Sequence, residues 1–159
     1  MQRKKVIIYT DGACLGNPGP GGYGVVLLYG KKRKELSGGF RRTTNNRMEL
    51  LAAIMGLKSL KEPCNVALYT DSRYLVDAMS LGWAKQWKQK GWKKSTKEPA
   101  KNPDLWDQLL DLTSYHHVTF EWVPGHSGVI ENERCDELSV DAANQADLPP
   151  DVNYESNQA

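Results

Sequence analysis

Apolar residues recur along this chain first in the rhythm of strands and then in that of helices. Val6-Ile7-Ile8 lies in a run over residues 4–11, and Tyr23 to Tyr29 forms a second run. Both are short, rich in β-branched and aromatic residues, and bounded by turn formers. Between them, Asn17-Pro18-Gly19-Pro20-Gly21-Gly22 reads as a dense turn, and Gly30 with Lys31-Lys32 as a tight connection into a third strand at about 33–42. These connections are too short for crossover helices, so an antiparallel meander is predicted. The period then lengthens. Leu50, Leu51, Ile54, Leu57 and Leu60 follow helical spacing over Asn45 to Leu60, with Thr44 as N-cap and Pro63 just past the end. A fourth strand begins at Val66-Ala67-Leu68. Because a helix precedes it, it can lie parallel to an earlier strand through a right-handed crossover.

Helical segments follow at about 72–80, 83–89 and 103–113, then a fifth strand at Val118 to Val123. Pro124-Gly125-His126-Ser127-Gly128 is expected to be a flexible loop, and 131–145 a last helix. The pattern predicts one α/β domain over residues 1–146, with a mixed five-stranded sheet flanked by helices. Strands 1–3 would be antiparallel and strands 4–5 parallel. Residues 147–159 are polar and acidic with two prolines, and are expected to be a disordered tail.

Composition fits that picture. A chain of 159 residues with 40% hydrophobic and 25% charged residues suits one domain, and a domain of this size buries about 70% of its unfolded surface. No stretch approaches the roughly 20 apolar residues of a membrane span, and Met1-Gln2-Arg3-Lys4-Lys5 lacks the apolar core of a signal peptide. Cys14, Cys64 and Cys135 show no metal-site or paired spacing, which fits a reducing cytoplasm. The net charge of +2 hides an asymmetry: seven lysines and one acid lie between Lys85 and Lys101, whereas six acids and no Lys or Arg lie from Cys135 onward. The basic stretch suggests a polyanion-binding surface.

Candidate chemistry starts from a repeat. Tyr-Thr-Asp closes the first strand at Tyr9-Thr10-Asp11 and the fourth at Tyr69-Thr70-Asp71. If the strands are neighbours, Asp11 and Asp71 emerge side by side, and two such carboxylates stay ionised cheaply only around a cation. Each Asp alone is otherwise a common turn residue.

Around these residues the chain resembles the type 1 ribonuclease H family, the bacterial ribonucleases HI. The matching segments are Thr10-Asp11-Gly12 with Cys14 through Gly24, Thr43 through Leu50, Thr70-Asp71-Ser72, Trp83 through Trp92, Gly125-His126, and Glu131 through Leu138. The resemblance implies a metal site of Asp11, Glu49, Asp71 and Asp136; burial habits alone would leave Glu49 and Asp136 as solvated helix residues. It implies two Mg²⁺ ions, with Mn²⁺ able to substitute, and hydrolysis of the RNA strand of RNA/DNA hybrids to 5′-phosphate and 3′-hydroxyl ends. His126 would assist proton transfer or product departure.

The same resemblance makes residues 82–101 a basic handle for the DNA strand. Trp83 would pack on the backbone, with Trp87, Trp92, Lys88 and Lys90 beside it. A tryptophan cluster propping up a solvated basic helix is the plainer reading of that segment. Cys14, Asn17, Asn45 and Glu49 lie where the family reads the 2′-hydroxyl, Asn46 is equally suited, and Thr44 lies near a DNA phosphate pocket. Arg73 stands where many bacterial relatives carry Gln; a guanidinium donates but cannot accept, so a backbone contact is expected there instead. A monomer acting in the cytoplasm is expected. The rivals are a DNA-directed nuclease or strand-transfer enzyme of similar fold, and a noncatalytic hybrid-binding module.

Overall fold

The computed structural model describes residues 3–95, 98–126 and 128–156. Three long strands, β1 (Lys4–Cys14), β2 (Gly19–Tyr29) and β3 (Lys32–Thr43), form the meander. Helix α1 (Asn45–Lys58) leads into β4 (Cys64–Thr70), followed by α2 (Arg73–Ser80), α3 (Trp83–Gln89), α4 (Pro103–Tyr115), β5 (His117–Trp122), α5 (Ile130–Ala143) and the short α6 (Val152–Ser156). The sheet runs β3-β2-β1-β4-β5. The β1–β2 and β2–β3 pairs are antiparallel, while β1–β4 and β4–β5 are parallel, as the connections predict. The run expected to be a turn through Gly22 is instead mostly strand, because β2 begins at Gly19 and pairs with β1 as far as Gly21↔Cys14.

The local causes are visible at the helix ends. Thr44 Oγ1 accepts a hydrogen bond from Arg47 N at 3.2 Å, which satisfies one of the free donors of the first turn of α1. Ser72 Oγ does the same for Leu75 N at the start of α2. Ile8, Val25, Ile54, Leu57 and Leu68 are fully buried where α1 covers one face of the sheet. The core continues to Leu105, Trp106 and Leu109 of α4. Helix α5 covers the other face, and Gly24 shows why it lies so close: a Cβ there would sit 2.3 Å from Cys135 O. His116 is buried; its Nδ1 accepts from Cys64 N at 3.1 Å, which leaves Nε2 to donate to Leu57 O at 3.2 Å. It therefore serves as a structural tie between α1 and β4.

Two expectations are corrected. Trp87, expected at the nucleic-acid surface, is only 8% exposed. Its ring packs edge-on to Trp106 at 5.6 Å and lies 6.2 Å from Tyr74, because the side of α3 that carries it closes the core over α4. The segment after residue 146 is ordered through Ser156 rather than loose. Arg41 N donates to Pro149 O at 2.9 Å, Glu155 pairs with Arg41 at 2.8 Å, and Asp151 is buried against Arg47 at 2.8 Å. Asp151 is not solvated: it answers the guanidinium of Arg47, itself 4% exposed, while Glu155 answers Arg41. Residues 157–159 of the expected tail lie outside the described residues.

Candidate active site

The repeat is resolved by register. Tyr9 pairs with Tyr69 and Thr10 with Thr70 across the parallel β1–β4 ladder. The two tyrosine rings stack with centroids 4.9 Å apart and planes 15° apart. Asp11 and Asp71 follow at the same end of these central strands. Trp122, at the end of β5, donates its indole N–H to Asp71 O at 3.2 Å and so anchors the backbone just past β4.

Glu49 arrives from the first turns of α1. Its approach depends on Gly12, where a Cβ would lie 2.5 Å from Glu49 N and 2.6 Å from the Met48 carbonyl carbon. Those are rigid backbone atoms. We therefore expect Gly12→Ala to cost about 3 kcal/mol of stability and to displace Glu49; urea unfolding and hybrid cleavage measure both, and unchanged values would show that the approach has slack.

Carboxylate oxygens of Asp11, Glu49 and Asp71 all lie within 4.8 Å of one another. Asp11 and Glu49 are 4% and 5% exposed, and Asp71 is half-buried. Gly12 N donates to Asp11 Oδ1 at 2.9 Å, whereas Glu49 Oε2 is buried with no hydrogen-bond partner among the described residues. Burial, and then the Asp71 charge, push the Asp11 carboxyl up to about 8. Burial and the neighbouring Asp11 push Glu49 well above the carboxylate range, and burial also raises Asp71. An orphaned carboxylate oxygen and three acids reluctant to ionise together are what a hard divalent cation would correct, since such ions take oxygen ligands.

Asp136 of α5 and His126 line the same cleft of about 290 Å³, together with Asn45 and Ser72. Asp136 falls outside the tight trio. His126 is exposed at the mouth with φ 54°, in the loop before α5. A Cβ at the adjoining Gly125 would come 2.8 Å from Asp71 Oδ2, so that loop passes close over the cluster. The RNase H family model matches residues 3–144. The chain belongs to the ribonuclease H family. A ribonuclease H of Syntrophus aciditrophicus (strain SB) is 66% identical over 152 residues, which cover 96% of this chain and 88% of that protein. Among solved structures, LC9-RNase H1, a type 1 RNase H with the type 2 active-site motif, superposes with a TM-score of 0.80 at 34% identity, covering 90% of this chain and 74% of that one. LC11-RNase H1 in complex with RNA/DNA hybrid gives a TM-score of 0.67 at 26% identity over 87% of this chain and 96% of that one.

The other predicted residues are distributed around this cleft. Asn17 Oδ1 accepts from Asn45 N at 3.1 Å, which ties the β1–β2 turn to the start of α1. Thr44, Asn46 and Asn17 line a second cavity of about 630 Å³ with Lys101 and Asn102. Neither of these last two was singled out from the sequence, where Lys101 read only as the end of a basic stretch. The Cys14 thiol lies 3.4 Å from the carbonyl oxygen of Thr43 and 3.5 Å from that of Gly19, so it holds the turn rather than facing the cleft. Arg73 lies over the Trp122 ring at 4.3 Å, next to the anchored Asp71 backbone. Trp122 has no sequence signal beyond its place at a strand end. Trp83 and Trp92 are half-buried, Lys90 is exposed, and Lys88 is held by Asp107 at 2.6 Å.

Proposed function

We infer that this chain is a ribonuclease H that hydrolyses the RNA strand of RNA/DNA hybrids, leaving 5′-phosphate and 3′-hydroxyl ends. The observation that carries the chemistry is the trio of buried Asp11 and Glu49 with half-buried Asp71, their oxygens within 4.8 Å and Asp136 on the wall of the same cleft. Divalent ions held there, two Mg²⁺ with substrate or Mn²⁺ in their place, would supply the Lewis acidity that activates water and steadies the leaving 3′-oxygen. The chain's own residues hold, orient and shuttle. Asp11 and Glu49 provide carboxylates screened from water, and Asp71 presents one to the open side. Asp136 adds negative charge at the rim, and His126 is placed to pass a proton at the mouth.

Recognition is divided between two surfaces. Asn45, inside the carboxylate cleft, offers an amide able both to donate to and accept from a 2′-hydroxyl. Asn17, Thr44, Asn46 and Lys101 form a polar, cationic cavity suited to a phosphate of the DNA strand. The handle adds exposed lysines, including Lys85 and Lys90, with Trp83 and Trp92 beside them. Arg73, backed by the Trp122 ring, suits a backbone contact.

The geometry supports a monomer, with all four carboxylates supplied by one chain. Free thiols at Cys14, Cys64 and Cys135 agree with the cytoplasm. No helix among the described residues is long and apolar enough to cross a membrane.

The deciding experiment offers labelled RNA/DNA hybrid, duplex DNA and duplex RNA, each with Mg²⁺, Mn²⁺ or chelator. Metal-dependent cutting confined to the RNA of the hybrid is expected. Equal cutting of duplex DNA would favour a DNA-directed nuclease, and hybrid binding without cutting would favour a binding module. In the same assay, His126→Ala should lower turnover without weakening hybrid affinity, and unchanged turnover across pH would remove His126 from the mechanism.

A further inference from the structure

Thr44, Asn45 and Asn46 sit at the start of α1 and serve two adjoining spaces. Asn45 lines the carboxylate cleft, while Thr44 and Asn46 line the second cavity. That cavity has a lining residue from an unexpected place, Tyr154 of α6. The tyrosine is half-buried, and its ring centroid lies 5.9 Å from the Arg47 guanidinium. Its neighbours hold it in place: Asn153 donates to Asp104 Oδ2 at 3.2 Å, and Glu155 pairs with Arg41 at 2.8 Å.

Asp151 reaches deeper. It accepts from Thr43 Oγ1 at 2.7 Å and from Arg47 Nε at 2.8 Å, and Arg47 also donates to Asp104 at 2.8 Å and to Asn102 Oδ1 at 3.2 Å. Thr43 and Arg47 bracket Thr44-Asn45-Asn46 in the chain. One buried carboxylate therefore grips both ends of the segment that supplies polar side chains to both spaces. Through Arg47 it also reaches Asn102, where the basic handle returns to the body of the domain. A buried ion network is a poor device for stability alone, because desolvation offsets much of its attraction, but it fixes a single geometry.

We propose that the C-terminal segment is a wall of the nucleic-acid groove, with Tyr154 touching the backbone of the bound hybrid and Asp151 positioning Thr44, Asn45 and Asn46 through Thr43 and Arg47. This rests on the ribonuclease H reading and adds to it a stretch beyond residue 144, where the family model ends. The chemistry is that of other single-strand tracks: Lys101 faces phosphate charge, and an aromatic ring packs on the adjoining sugar or base.

The test uses the full chain and a fluorescent RNA/DNA hybrid. Binding is read by anisotropy in chelator, and cleavage as separate kcat and KM with Mg²⁺. Tyr154→Ala, on a half-exposed side chain, should raise Kd and KM about 5- to 10-fold with kcat little changed, whereas Tyr154→Phe should stay close to the native values. Asp151→Asn should lower the melting temperature and also raise KM at temperatures where circular dichroism shows a native fold. A purely structural role would lower the melting temperature and leave KM alone. If Asp151→Asn fails to fold, Tyr154→Ala decides. A native protein that binds and cuts hybrid, with Tyr154→Ala indistinguishable from it, overturns the wall and leaves the ribonuclease reading standing. A native protein that neither binds nor cuts hybrid overturns both.

Discussion

Asp71→Asn is expected to bind an RNA/DNA hybrid almost normally and to cut it at least about a hundredfold more slowly. The side chain keeps its size, and the bond from the Trp122 indole goes to the Asp71 carbonyl oxygen, which the substitution leaves in place. What is lost is one of three carboxylates whose oxygens lie within 4.8 Å, and with it the charge that draws a divalent cation to the open side of the cleft. The residues proposed to hold the hybrid, among them Asn17, Thr44, Lys101 and Lys90, lie outside that trio. Single-turnover cleavage set against anisotropy in chelator separates the two effects. Turnover close to native would remove Asp71 from the centre, and a parallel loss of binding would show that the carboxylate acts through the fold.

The second large effect concerns stability without metal. In the metal-free protein, burial and Asp71 raise the Asp11 carboxyl from 3.8 to about 8. A group whose folded value is raised stabilises fully below its unfolded value and loses that contribution as pH climbs through the folded one. In chelator, the melting temperature should therefore fall as pH rises from about 4 to about 8. Divalent cation should restore it most at the alkaline end, because only the folded cluster gathers the carboxylates around an ion. Asp11→Asn should flatten the fall in chelator and make the metal-free protein more stable than native at alkaline pH, at the cost of activity. If native and Asp11→Asn melting curves keep a constant offset across that window, the cluster is not under the electrostatic load described.

Much of this was readable in the chain, and the exceptions have definite causes. The meander followed from short connections, and the crossover into β4 from the helix before it. Tyr9-Thr10-Asp11 and Tyr69-Thr70-Asp71 pointed to a carboxylate pair because strand ends are local features that parallel pairing carries into space. Glu49 and Asp136 were different. Each lies on a helix whose approach to Asp11 is set by a missing side chain on a strand, at Gly12 for α1 and Gly24 for α5. No periodicity within α1 or α5 encodes that. The same cause explains why the glycine run before Tyr23 continues as strand where turn chemistry was expected.

Charged residues misled in two directions. Asp151 read as solvated because its partner, Arg47, lies in a helix whose burial only the tertiary fold reveals. In the lysine-rich α3 the resemblance puts Trp87 at the nucleic-acid surface, yet it completes an aromatic cluster with Tyr74 and Trp106, as the plainer reading of that segment has it. A basic helix must still be attached to something, and here the anchor is one of the residues expected to touch nucleic acid.

The in-register tyrosine stack carries a last consequence. Neighbouring strands in any sheet stand about 4.8 Å apart, a length fixed by peptide hydrogen bonding. Asp11 follows β1's last rung with β4 and Asp71 follows its partner, so their separation is inherited from the backbone rather than adjusted by side chains. Point substitutions can remove a carboxylate here, but they cannot retune that interval. Inserting or deleting one residue within either strand would turn its acid to the opposite face of the sheet. The spacing of the centre is thus insulated from gradual drift, and a one-residue change of length that would be tolerated in a loop or in the handle would dismantle it here.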